Sequence, residues 1–75
     1  MLVSKIVYTK NGKTVRADRI ENKVSGAALK LAGRFAAIAE DHTAYVDCFA
    51  DGMLILSRAV FYTDGLRHEI NRIGR

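Results

Sequence analysis

"KNGKTV", residues 10–15, admits two readings that lead to different folds. Its Gly12-Lys13-Thr14 is the way a phosphate-binding P-loop ends, and it is equally the tip of a β-hairpin turning on Asn11-Gly12. A P-loop requires a glycine five positions before Gly12, where this chain has Val7. It also requires a helix to begin at the Lys-Thr, so that backbone amides and the helix dipole face the phosphates. The flanking stretches, LVSKIVYT at residues 2–9 and KTVRADRI at residues 13–20, are instead both rich in strand-forming residues. Asn-Gly suits a two-residue type I′ turn, in which both central residues take positive φ. The hairpin reading prevails. It pairs Tyr8 with Val15 and Ile6 with Ala17 on an apolar face, leaving Lys5, Val7, Thr9, Thr14 and Arg16 on the other.

Beyond the hairpin the hydrophobic period changes. In SGAALKLAGRFAAIAE, residues 25–40, Ala28, Leu31, Phe35 and Ile38 recur at helical spacing, with Lys23, Lys30 and Arg34 on the opposite side. Ser25 has the side chain of an N-cap. The many small residues of this helix allow close packing on its own sheet. Strand character returns in TAYVDCFA, residues 43–50, and in MLILSRAVFYT, residues 53–63, joined by Asp51-Gly52. The second of these is long enough to bend near Ser57-Arg58. In the last stretch, LRHEINRIGR, Leu66, Ile70 and Ile73 fit a short helix capped by Asp64. Leu66, His68 and Ile70 also alternate as a strand returning from Asp64-Gly65. The helix is the expectation adopted.

The fold expected is therefore α+β: a single domain over residues 1–75, β-hairpin–helix–β-hairpin with a short C-terminal helix. About four antiparallel strands form the sheet, and the central helix covers one face. Its core is expected to hold Ile6, Tyr8, Val15, Leu31, Phe35, Ile38, Val46, Cys48, Ile55 and Phe61.

Length and composition narrow the functional classes. A chain of 75 residues encloses little cleft, and its one cysteine excludes an intrachain disulfide. Half the residues are hydrophobic (49%), enough for a core. No apolar run approaches the ~20 residues of a membrane span, so no membrane partner is expected. MLVSKIVY reads without a signal peptide, and an unpaired cysteine fits a reducing compartment, so a cytoplasmic location is expected.

Catalytic and metal chemistry find little footing. Cys48 with His42 or His68 would make a nucleophile and base only if the fold brought sulfur and ring together. On a strand Cys48 shares its side with Val46 and Ala50, the position of a small buried hydrophobe. Asp41, His42, Asp47, His68 and Glu69 lack the paired spacing of a metal site. Neither an enzyme nor a cofactor is expected.

Charge is the informative feature. The net +4 is uneven. Residues 1–34 carry eight cations, Lys5, Lys10, Lys13, Arg16, Arg19, Lys23, Lys30 and Arg34, against Asp18 and Glu21. Residues 35–64 carry Arg58 against five acids, among them Glu40, Asp41, Asp47 and Asp51. Residues 65–75 return to +2 through Arg67, Arg72 and Arg75 against Glu69. The basic set and the acidic set are the two candidate binding surfaces.

These surfaces suit two partner classes. The first, and the expectation adopted, is a protein or nucleoprotein complex, engaged by a small accessory or inhibitory protein of the size that phages and plasmids encode against host defence complexes. The other is DNA or RNA bound directly, if hairpin and helix join their cations into one patch and a tyrosine is exposed for stacking. No helix-turn-helix, RNP-like aromatic motif, KH loop or zinc finger is present. A free sheet edge also offers a route to a homodimer.

Overall fold

The computed structural model describes residues 1–73; Arg75, one of the C-terminal cations, lies outside the described residues. Five strands and one helix succeed one another in the order β1 (Leu2–Lys10), β2 (Lys13–Glu21), α1 (Ser25–Ile38), β3 (His42–Ala50), β4 (Met53–Thr63) and β5 (Leu66–Asn71). The strands form one antiparallel sheet in the order β2-β1-β3-β4-β5. Helix α1 carries the chain from edge strand β2 over one face to β3, packing on β1, β3 and β4. It is not long and apolar enough to cross a membrane.

Three hairpins share one turn chemistry. Asn11 and Gly12 have φ of 52° and 79°, Asp51 and Gly52 49° and 82°, Asp64 and Gly65 53° and 77°. Only the type I′ turn asks for positive φ at both positions, and Asn-Gly or Asp-Gly meets that demand at least cost.

The third turn corrects the expected C-terminal helix. Leu66–Asn71 is strand β5, and the sheet has five strands where about four were expected. An isolated helix of two turns is marginal in water. The same residues laid against β4 satisfy its backbone groups from Arg58 to Thr63, which would otherwise form a bare edge.

Two bulges correct the register. Thr9 pairs with Thr14 but Tyr8 pairs with Arg16, so Val15 is an extra residue in β2. Beyond it Ile6 faces Asp18 and Ser4 faces Ile20, which brings Ile20 to the helix side against the core and leaves Val15 half exposed. Ile55 is likewise extra between Leu54 and Leu56, and is exposed for the same reason. A bulge of one residue exchanges the two faces of everything beyond it.

The core lies between α1 and the even-numbered residues of β1 and β3. Ile6, Tyr8, Ala44, Val46, Cys48 and Val60 supply the sheet side, Ala28 and Ala32 the helix side. Ala36 is also fully buried, whereas Leu31 and Ile38, expected inside, are 40% and 85% exposed. The sheet contributes the volume, so the helix must contribute absence of volume: small side chains let the axis approach the layer of Tyr8, Val46 and Val60 at interior packing density. Phe35 fills the helix flank, its ring 4.1 Å from that of Tyr8. Phe61, also expected in the core, is half-buried on the opposite face. Val24, not Ser25, occupies the N-cap position, and no side-chain cap bond forms.

Candidate functional site

Most carboxylates of this chain are matched with a cation close by. Asp18 meets Arg16 at 3.1 Å, Glu21 meets Arg19, and Glu69 meets Arg58 and Arg67. Asp41 accepts from Lys10 Nζ at 3.0 Å and from His42 Nδ1 at 2.7 Å. These two hydrogen bonds hold its carboxyl below the ordinary aspartate range. Asp51 accepts from the N-terminal ammonium and is lowered for that reason. Asp47 accepts from the Ser57 hydroxyl, and the Arg72 guanidinium stands 3.7 Å away.

The candidate acidic residues are thereby spread out. Glu40 and Asp41 come after the end of α1, Asp47 is on the sheet face away from the helix, and Asp51 is in the β3–β4 turn beside the N-terminus.

The candidate cations divide three ways. Lys10 is tied to Asp41. Lys5 and Arg19 are paired across β1 and β2 on the face turned away from α1. The remainder gather beside the helix. Lys23, Lys30 and Arg34 line a groove of about 620 Å³ between β2 and α1, whose floor is Ile20, Val24, Ala27 and Leu31. Among the described residues, no carboxylate lines it. The helix contributes none either, because Ser25–Ile38 contains no acidic residue. Arg16 stands on the same flank, its guanidinium 5.6 Å from the Tyr8 ring and 5.5 Å from the Phe35 ring. Beneath it the Tyr8 phenol is held neutral: burial, and then the nearby Asp18, push its pKa up. Lys13 is exposed at the hairpin tip, at the start of β2.

Among the described residues, Lys5, Lys13, Lys23, Lys30 and Arg34 meet no carboxylate within 4 Å. Three of these five, Lys23, Lys30 and Arg34, line the groove; Lys13 is at the hairpin tip, and Lys5 is on the other face. The charge left uncompensated after ion pairing is therefore positive, and most of it borders one groove. An unpaired surface ammonium is fully available to displace counterions from a polyanion, whereas one already paired must first release its partner.

The nucleophile candidates are separated. Cys48 is fully buried against Ser4, Oγ to Sγ 3.0 Å. His42 lies six residues away along β3, about 20 Å at strand rise, and His68 is on the opposite face of the sheet, stacked on Phe61. Among the described residues no cluster of three His, Cys, Asp or Glu side chains is placed to hold a metal.

The tyrosines part company. Tyr8 is in the core, Tyr62 reaches the helix at Gly33, and Tyr45 lies on the uncovered face. Three further residues of that face, Phe49, Phe61 and Arg72, were not among the sequence candidates. For Phe49 the signal was the alternation of β3 itself: if Val46 and Cys48 point inward, Tyr45, Asp47 and Phe49 must point outward. Comparison with protein-family models, with curated proteins and with solved structures finds no match to this chain.

Proposed function

We propose that this chain is a small non-enzymatic binding protein that docks on a polyanion, the phosphate backbone of a nucleic acid or nucleoprotein complex. The docking surface is the basic groove between β2 and α1. The observation that supports this reading is the groove's lining: Lys23, Lys30 and Arg34 with no carboxylate among them, in a molecule that neutralises most of its acids elsewhere. Lys13 and Arg16 extend the surface along the hairpin. Such a site recognises charge and spacing rather than base identity.

The test is fluorescence anisotropy with labelled single- and double-stranded DNA and RNA over a range of salt. Binding should weaken linearly in log K against log salt. Lys30→Glu with Arg34→Glu should flatten the slope on duplex DNA by about 2, since each phosphate neutralised contributes about 0.9. Negligible binding at physiological salt would overturn the reading.

One observation favours a second reading. Val24 and Leu31, on the groove floor, are 71% and 40% exposed, and a phosphate backbone has no use for that apolar surface. An acidic protein segment with apolar side chains would use both parts. The chain would then be an accessory or inhibitory protein of a protein complex. Loss of one captured partner on Leu31→Ser, with nucleic-acid binding unchanged, would favour it.

A further inference from the structure

Among the described residues, no second layer covers the sheet face turned away from α1, and its chemistry differs from that of an ordinary solvated face. Three aromatic rings lie on it, and each is accompanied by a basic group. The Arg72 guanidinium is 4.7 Å from the Tyr45 ring centroid, and Lys5 Nζ is 5.5 Å from that of Phe49. The His68 imidazole stacks on Phe61 at 5.0 Å and 18°. Two shallow hollows repeat the combination. One, of about 270 Å³, is lined by Val7, Tyr45, Asp47 and Arg72. The other, of about 330 Å³, is lined by Val3, Lys5, Arg19, Phe49 and Gly52. Tyr45 and Phe49 are four residues apart on β3, about 13 Å at strand rise. Phe61 faces Thr43, which sets it diagonally from Tyr45, within about 7–8 Å.

We infer that this face is a second binding surface, for single-stranded nucleic acid, with bases stacked on Tyr45 and Phe49 and phosphates met first by Lys5, then by Arg19 and Arg72 as they exchange the carboxylates of Glu21 and Asp47 for phosphate. Aromatic faces accept any base, because every base presents a π-face, and the cations beside Tyr45 and Phe49 supply the electrostatic half of the contact. Lys5 and Arg72 rest on their rings through long, exposed side chains that can turn to a phosphate and free the ring for a base. Double-stranded nucleic acid keeps its bases stacked inside and has no use for these rings.

Charge decides between this occupant and a second copy of the chain. Sheet-on-sheet closure would remove Lys5 from water, although it meets no carboxylate among the described residues, and would bury the Asp47–Arg72 pair with it. Desolvation of charge without new partners opposes such an interface. A nucleic-acid strand leaves the charged rim hydrated and brings the anions that Lys5 lacks.

The groove and this face are on opposite sides of the sheet, so each can fail alone. The full chain is titrated with labelled oligothymidylate and with a duplex of equal length. Tyr45→Ala with Phe49→Ala should weaken oligothymidylate binding by roughly tenfold or more, at the scale of one or two lost stacking contacts, and leave duplex binding unchanged. Tyr45→Phe should bind as the parent does. Should the double variant fold poorly, the parent's Tyr45 ring-proton signals supply the readout, moving upfield on addition of oligothymidylate. Three results would overturn the inference: a folded double variant that binds oligothymidylate as the parent does, Tyr45 signals that do not move, or sedimentation showing a dimer that the same two substitutions dissociate. If duplex is bound and oligothymidylate is not, the inference falls while the groove reading stands. If neither is bound, both fall.

Discussion

Gly33→Ala opposes two effects whose sizes can be worked out from the structure. Gly33 is buried in the middle of α1, where glycine costs about 0.5–1 kcal/mol relative to alanine through backbone entropy. Against that gain stands the room for a methyl group. A Cβ at Gly33 would lie 3.3 Å from Arg67 Nε, 3.6 Å from the Tyr62 hydroxyl oxygen and 3.7 Å from Arg67 Nη2. Only the first is closer than ordinary van der Waals contact, and it belongs to the far end of a half-exposed arginine. Shifting that guanidinium a few tenths of an ångström loosens at most the Arg67–Glu69 pair, an exposed interaction worth about 0.2–1 kcal/mol that need not be lost outright. Glu69 keeps Arg58 as a partner in any case. The propensity gain should prevail, for a net stabilisation of about 0.5 kcal/mol and a rise in Tm of roughly 2–4 °C in a domain of this size. Thermal unfolding by circular dichroism, with urea titration to check that the m-value is unchanged, reads the effect. A loss of 1 kcal/mol or more would refute the reasoning, because it would mean that the helix rests on the β4–β5 side through backbone contact and not through a yielding side chain.

Ala32→Leu should be severe, because Ala32 is fully buried under the helix axis and overpacking a full site costs about 1–3 kcal/mol, a large part of what so small a core provides. Ile38→Ser, at a position 85% exposed, should stay within about 0.5 kcal/mol by the same denaturation measurement. The Asp41 carboxyl is held below its ordinary value of ~3.9, so its contribution to stability is complete above that value and is lost as pH falls through the folded pKa. A carbon-detected titration of Asp41 should therefore give a lowered midpoint that rises toward the ordinary one in Lys10→Met; an ordinary midpoint in the parent would remove the Lys10 and His42 contacts from the account.

The local elements were legible because they rest on local physics. Asn11-Gly12 and Asp51-Gly52 announce their hairpins by the one backbone conformation those pairs adopt most cheaply, and the period change at Ser25 announces the helix. The alternation of β3 placed Val46 and Cys48 inside correctly. Apart from the Ser25 cap, the features that misled depended on a neighbour. Leu31 and Ile38 keep perfect helical spacing with Phe35, yet the buried line is Ala28, Ala32 and Ala36, since the partner layer already holds Tyr8, Ile6, Val46 and Val60. Hydrophobicity identifies candidates for burial; available volume selects among them.

The same division holds for the candidate surfaces. Amino-acid sequence alone determined the amount and sign of charge, the three turn pairs, and which stretches before residue 66 are strand and helix. Tertiary structure decided which charges remain unpaired. Lys10 and Asp41 are 31 positions apart and neutralise each other, whereas Lys23, Lys30 and Arg34 come to one groove with no acid opposite. It also decided, through the bulges at Val15 and Ile55 and through β5, which side of the sheet each residue presents. Pairing and facing are long-range properties. A one-residue slip reverses a face, and an ion pair forms or fails over a few ångströms, distances that no spacing along the chain encodes.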